Sequence, residues 1–530
     1  MKKAANLMIQ GTMSGAGKSL LCAALCRIFA QDGYRVAPFK SQNMALNSYV
    51  TENGLEMGRA QVVQAQAAGK APDVRMNPIL LKPSSDTGSQ VIVNGEVRGQ
   101  MTAAAYFKMK KQLIPDILAA YESLAAENDI IVIEGAGSPA EINLKENDIV
   151  NMGLARLVDA PVLLAGDIDR GGVFAQLYGT VALLEPEEQS CIKGLLINKF
   201  RGDPEILRPG LAMLEEKTHV PVLGVVPYLY VDVDDEDSLA PRLTRKEAPR
   251  PIDIAVIRLP RISNFTDFSP LENHPMLGVR YVQTAAELAR PDLVILPGTK
   301  STMADLLWMR QNGLEAAIQK LASQNVPVLG VCGGYQMLGR TLQDPDGCEG
   351  GGQLRGMDLL PVDTVFRAEK TRTRVQAETL AKPMEGAKLD AYEIHMGETK
   401  VEGAPFCRLA DGQLDGCVNG NIFGTYLHGL FDSGALTMKL AKWLCSRKDI
   451  PCEQEFPGSY ADYQEEQLDL LAQGVRSALD MKEIYQIMDL ERGKRECSVD
   501  WSICTGATVR AKRQRPWALR CVPLEMEAAW

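Results

Sequence analysis

The sequence predicts an α/β protein: two doubly wound α/β domains followed by a helical C-terminal extension. Three observations predict this. Short apolar runs recur along the chain without strict alternation, as in strands buried on both faces of a parallel sheet. Helical stretches separate them, giving the strand-loop-helix grammar of layered α/β folds. The series also breaks near residue 228 and restarts near 252, so the 530 residues divide into two cores.

"NLMIQG" opens the first series as a strand. In "KSLLCAALCRIFAQDG" the residues Leu20, Leu21, Ala24, Leu25, Ile28 and Phe29 fall on one helical face, and Gly33 is placed to cap it. Strands are expected at 129–135, 161–167, 192–200 and 220–227, completing a domain over 1–228. The stretch "YVDVDDEDSLAPRLTRKEAPRP", acidic, then basic, and broken by prolines, marks 229–250 as a linker. "IDIAVIRLP" (252–260), "DLVILPGTKS" (292–301) and "VPVLGVCGGYQ" (326–336) begin a second domain over 251–447. A helical part follows over 448–490. Residues 491–530 are basic and rich in Trp, Cys and Arg without periodicity, and are expected to be an accessory tail.

Composition narrows the function classes. The chain is 46% hydrophobic and 23% charged, with a net charge of −10 and no basic patch interleaved with aromatics, which argues against nucleic-acid partners. Its 12 Cys are scattered and it has only 4 His, so reduced thiols in a cytoplasmic protein are expected rather than a metal cluster. No uncharged run reaches the roughly 20 apolar residues of a membrane helix, and the glycine loop cuts short any leader. Small-molecule partners remain. Oligomeric state has no signal in the sequence.

Chemistry first appears in "IQGTMSGAGKSLLCAAL" (9–25). Phosphate binding needs a nest of backbone N–H groups, a helix N-terminus and a cation. Gly15 and Gly17 permit the dihedrals, Lys18 brings the charge, and Ser19 is placed for Mg²⁺. The common spacing would put a glycine at position 12, where Thr12 stands, and Gly11 comes one residue early. None of the roles depends on residue 12, so a loop with one extra residue is expected to work. Glu134, ending an apolar strand, is a second candidate Mg²⁺ ligand. Lys40 is a candidate to stabilise the phosphoryl group in flight. Asp148 and Asp167 are candidates to position substrate or metal, with helix capping as the bland reading.

A second chemistry lies in "GVCGG" (330–334), which fits the nucleophile elbow G-x-[SC]-x-G with Cys332 as nucleophile. The small residues at 330 and 334 answer crowding at the turn. A helix N-terminus and a neighbouring His would make the thiolate available. Among the histidines, His428 in "GTYLHGLF" is the candidate base and His395 in "YEIHMG" its rival, read as structural or substrate-facing; His219 and His274 look incidental. Backbone N–H groups of Gly298, in "LPGTKS", and Gly333 are the candidate oxyanion donors.

The strings "GTMSGAGKS", "APFKSQNMALNS" (37–48), "EMGRAQ" (56–61), "NPILLKP" (77–83), "EGAGSPAEINL" (134–144), "DIVNMG" (148–153), "DIDRGGVFA" (167–175) and "NFTDFSPL" (264–271) together resemble the cobyric acid synthase family over about residues 5–485. That resemblance implies a dethiobiotin synthetase-like P-loop domain joined to a class I-type glutamine amidotransferase domain. It implies ATP with Mg²⁺ at the loop, Asn198 at the adenine edge and Glu56 as a further metal ligand. It also implies amidation of the b, d, e and g carboxylates of adenosylcobyrinic acid a,c-diamide. The neighbouring a,c-diamide synthase group is the alternative. From another class, a P-loop switch of the chromosome-partition type with a degenerate amidotransferase module would leave Cys332 without a task. Most class I amidotransferases carry a Glu two residues after the catalytic His; here Leu430 stands there. A backbone carbonyl is therefore expected to orient His428, and slow, loosely coupled glutamine hydrolysis to follow.

Overall fold

The computed structural model describes residues 4–84, 88–234, 243, 250–452 and 460–490. Residues 235–242 and 244–249 of the expected linker, and all of 491–530, lie outside the described residues.

Ala5–Gly11 runs through the interior of a six-stranded parallel sheet ordered Val222–Pro227, Ile192–Phe200, Val162–Asp167, Ala5–Gly11, Ile130–Glu134 and Val36–Phe39. Ile130–Glu134 and Val162–Asp167 are buried from end to end, which explains their unbroken apolar sequence. Successive residues feed opposite layers. Met8, Ile131 and Leu164 pack with Ile117 and Leu154, whereas Leu7, Ile9 and Leu163 pack with Leu21, Leu25 and Phe29.

The extension completes the second of these layers. Leu468, Leu471, Ala472 and Val475 of the Tyr460–Ala478 helix, with Ile484 and Tyr485 of Met481–Ile487, join the same cluster as the Lys18–Gln31 helix. That helix is covered by the sheet on one side and by the extension on another. Cys22, Ala23 and Cys26 are buried accordingly, while Leu20, expected on the core face, is 38% exposed.

The second sheet runs Leu277–Val282, Ile252–Ile257, Leu293–Leu296, Val328–Val331, Ile422–Thr425 and Cys417–Asn419, parallel except for the last, antiparallel strand. Two further layers have no counterpart in the expected elements. One joins Gln42–Met44, Ile79–Pro83, Gly88–Val93 and Glu96–Thr102. The other is built on a long antiparallel ribbon, Val362–Thr379 against Lys388–Val401. The ribbon's basic residues reach across to the first half of the chain: Lys370 to Glu56, Arg372 to Glu96 and Arg374 to Tyr49. Among the described residues, no helix is long and apolar enough to cross a membrane.

Candidate active sites

At the carboxyl end of Ala5–Gly11 the chain turns through Gly15 (φ 76°) and Gly17 (φ 91°) before Lys18 starts the helix. A Cβ on Gly17 would lie 2.2 Å from Asn198 Nδ2, so position 17 needs glycine for space as well as for its left-handed backbone. Thr12, the residue that lengthens the loop, is tied down on both sides. Its N–H donates to the Ala165 carbonyl at 2.9 Å, and its hydroxyl donates to Gln176 Oε1 at 3.0 Å. The extra residue is thus absorbed by the neighbouring strand and helix, and Gly11 stays packed close beneath Ala16 and Lys18. Lys18 Nζ donates to the carbonyls of Met13 and Gly137, each at 3.0 Å.

Glu134 accepts from Ser19 Oγ and Lys40 Nζ, each at 2.8 Å, and from Gln64 Nε2 at 2.6 Å. Burial opposes its ionisation most strongly, but the Lys40 ammonium together with the hydrogen bonds from Lys40, Gln64 and Ser19 more than offsets it and holds the carboxyl below its ordinary range. An ionised carboxylate beside a hydroxyl at the head of a phosphate loop is a hard-oxygen pair that fits Mg²⁺. The other expected residues are placed differently. Asn198 donates to the Ala16 carbonyl at 2.9 Å and accepts the Lys199 N–H at 2.9 Å, so its carboxamide braces the loop from within. Asp167 is buried against Lys199 Nζ at 2.7 Å, and Lys199 also reaches the Gly15 carbonyl. Asp148 accepts backbone N–H groups of Val150, Asn151 and Gly153 at 2.8–2.9 Å, so it ties the turn to the first turn of the Met152–Val158 helix, whose N-cap residue is Asn151. Glu56 does not join Ser19 and Glu134. Both of its oxygens are held by lysines, Lys82 at 2.8 Å and Lys370 at 2.5 Å.

Val328–Val331 ends in a sharp turn at Cys332, whose φ of 51° and ψ of −108° place a non-glycine residue in strained backbone. Crowding there is severe. A Cβ on Gly334 would sit 2.0 Å from the Leu296 carbonyl oxygen, and one on Gly330 would sit 2.7 Å from that of Gly334. Cys332 heads the short helix Gly333–Met337 and lines a cavity shared with His428, His395, Lys300 and Glu349. Its Sγ lies 3.6 Å from the Ile394 carbonyl and engages His428. Gly298 is close as well, since a Cβ there would be 2.9 Å from His428 Cε1.

His428 is oriented by a carboxylate. Asp267 Oδ2 accepts from its Nδ1 at 2.6 Å, and Asp267 Oδ1 accepts the Gly429 N–H at 3.0 Å. The expected backbone carbonyl is therefore replaced by an acid from Phe265–Phe268, far upstream in the chain. A charged orienter stabilises the imidazolium, which removes the reason to expect slow hydrolysis. Burial disfavours the imidazolium, yet Asp267 and Cys332 outweigh burial and push His428 up to about 10. His395 is different in kind. It stacks on Tyr426 with centroids 3.7 Å apart, bonds the Gly397 carbonyl, and is pushed down by burial to about 4.

Residues 253–436 match the CobB/CobQ-like glutamine amidotransferase domain family, and residues 7–236 match the CobQ/CobB/MinD/ParA nucleotide-binding domain family. Cobyric acid synthases of Lachnoclostridium phytofermentans and Ruminiclostridium cellulolyticum are each 58% identical over 92% of this chain, covering 99% and 98% of their own lengths. That of Streptococcus sanguinis is 51% identical over 92% of this chain and 99% of its own. The chain belongs to the cobyric acid synthase family.

The informative site residues whose roles the motifs did not carry are Asp267, Lys300 and Glu349. Asp267 lay within "NFTDFSPL", but sequence alone did not connect it to a histidine 161 positions away. Burial, then Lys82, pushes Lys300 down, and burial pushes Glu349 up to about 7. Lys300 stands in "LPGTKS", a string whose signal was the Gly298 backbone rather than the lysine, and Glu349 stands in no motif.

Proposed function

We propose that this member of the family activates the b, d, e and g carboxylates of adenosylcobyrinic acid a,c-diamide with ATP and amidates them with ammonia from glutamine, in the cytoplasm. The work divides between a synthetase domain (1–228) and an amidotransferase domain (251–447). Residues 229–250 join them, the helical part 448–490 adds its helices from Tyr460 onward to the first, and 491–530 form an accessory tail. The observation that carries the reading is that one chain holds a Cys332–His428–Asp267 arrangement as well as a phosphate loop with an ionised Glu134 at its head.

Cys332 as thiolate attacks the glutamine amide carbon, and the backbone N–H groups of Gly298 and Gly333 stabilise the oxyanion. Protonated His428 hands its Nε2 proton to the departing ammonia, then as neutral base takes a proton from the water that hydrolyses the thioester to glutamate. Lys300 and Glu349, of opposite charge in the same cavity, suit the α-carboxylate and α-ammonium of free glutamine. At the loop, Lys18 holds the transferring phosphate and Lys40 steadies charge as the carboxylate oxygen takes the phosphoryl group. Ser19 and Glu134 would hold Mg²⁺, which neutralises phosphate charge when bound. Ammonia then displaces phosphate from the acyl phosphate.

Mass spectrometry of the diamide incubated with ATP and glutamine is expected to show up to four successive conversions of carboxyl to amide. Cys332→Ala should abolish use of glutamine and spare use of ammonia; Lys18→Ala should abolish both. Loss of ammonia-dependent synthesis in folded Cys332→Ala would break the division of labour. An unmodified diamide with steady ATP hydrolysis would favour the switch reading.

A further inference from the structure

The catalytic histidine is wired to the other half of the chain. Tyr392 lies directly opposite His428 in the antiparallel pair and stacks on its ring, with centroids 5.4 Å apart and planes 22° apart. The Tyr392 hydroxyl accepts from Asn264 Nδ2 at 3.0 Å and donates to the Ser48 carbonyl at 3.3 Å. Asn264 Oδ1 in turn accepts the Ser48 N–H at 3.2 Å. Asn264, held at φ 52°, immediately precedes the turn that carries Asp267, the orienter of His428. The serine hydroxyl is engaged too, by Lys82 Nζ at 2.9 Å, and Lys82 lines the Cys332 cavity. Val50, two residues on, packs with Tyr392 and Ile394, and the Ile394 carbonyl faces Cys332 Sγ.

We propose that the Ser48–Val50 strand, acting through Asn264 and Tyr392, positions His428, so that the glutamine-hydrolysing site is completed by the nucleotide-binding half of the chain. Ser48, Asn264 and Tyr392 are positioning residues, since none touches the reacting atoms. The same stretch of chain begins at the other site: Lys40 bonds Glu134, and Asn43 bonds Gln61, which also donates to Glu134. Only seven residues therefore lie between Lys40, the partner of Glu134, and Ser48, which reaches Tyr392 and Asn264. Closing the loop on a nucleotide moves Glu134 and its lysine, and the strand conveys that movement to His428. An unseated strand takes the Ser48 carbonyl from the Tyr392 hydroxyl and the Ser48 N–H from Asn264, the residue that leads into the turn of Asp267. Glutamine is then hydrolysed when the acceptor site is ready and spared when it is not.

The inference rests on the amidotransferase reading, and its test separates the two. Tyr392→Phe removes both hydroxyl bonds while keeping the ring on His428. Asn264→Gly removes the side-chain bonds while tolerating the left-handed backbone. In the full chain, each variant is expected to lower kcat for glutamine hydrolysis about tenfold with KM within about twofold, and the double variant to fall no further than the worse single. The stimulation of hydrolysis by ATP with diamide should be lost, and ammonia-dependent amidation, which also certifies folding, should stay within about twofold. Unchanged kcat in both variants, a rise in KM with kcat kept, or losses that multiply would each overturn the positioning role. Wild-type protein that fails to hydrolyse glutamine would instead overturn the amidotransferase reading.

Discussion

Asp267 decides how His428 behaves. A buried imidazole without a carboxylate partner is held neutral, as His395 is; with Asp267 at 2.6 Å it is held protonated. Asp267→Asn keeps the shape and removes the charge. The alkaline limb of glutamine hydrolysis, set in wild type by His428 near 10, is expected to move down by at least one pH unit, with kcat lower by about 10²–10⁴-fold. The stability effect has a sign. Because the folded pKa lies above the unfolded value of about 6.5, the pair's contribution is complete below that pH and fades as pH rises through 10. Urea melts of wild type and Asp267→Asn should therefore differ more at pH 6 than at pH 10.5. Cys332 and His428 were readable because a nucleophile elbow and a glycine-flanked histidine have local chemistry. Asp267 was not, because its partnership exists only after two distant turns meet.

At the scale of elements, readability followed local environment. The parallel strands announced themselves because both faces are buried, and the phosphate loop because its glycines are forced by backbone geometry. The Val362–Thr379 ribbon did not, since its Lys and Arg side chains pair with residues of the other half of the chain, and a seam partner leaves no mark on periodicity. The elbow illustrates the forced kind. Gly334 approaches the Leu296 carbonyl so closely that a methyl group cannot enter without moving the Gly333–Met337 helix away from Leu293–Leu296. Gly334→Ala is expected to cost about 1–3 kcal/mol of stability by overpacking and to displace Cys332. The measurement is the thermal midpoint together with glutamine hydrolysis. Normal values of both would mean that the turn has slack that its contacts do not suggest.

Across the whole molecule, the two halves meet at a buried charge cluster, Glu56 between Lys82 and Lys370, with side-chain exposures of 0%, 6% and 10%. One carboxylate serves two ammonium groups. Burial raises the cost of its charge, but the lysines more than offset this and hold Glu56 well below the usual carboxylate range. Lys370, crowded by burial and by Lys82 despite Glu56, is pushed down to about 8. A cluster of this kind adds little net stability, but breaking it strands charge in the interior. Glu56→Gln should therefore destabilise the protein by about 3–5 kcal/mol, and Glu56→Leu combined with Lys82→Met and Lys370→Met should recover most of that loss. A metal-ligand role for Glu56 makes the opposite forecast: Glu56→Gln would raise the KM for ATP or the Mg²⁺ requirement and leave unfolding unchanged. Denaturant melts and ATP titrations of ammonia-dependent synthesis on the same variants separate the two. Stability lost with ATP affinity kept assigns Glu56 to the seam. The reverse would place it at the phosphate site in a conformation other than this one.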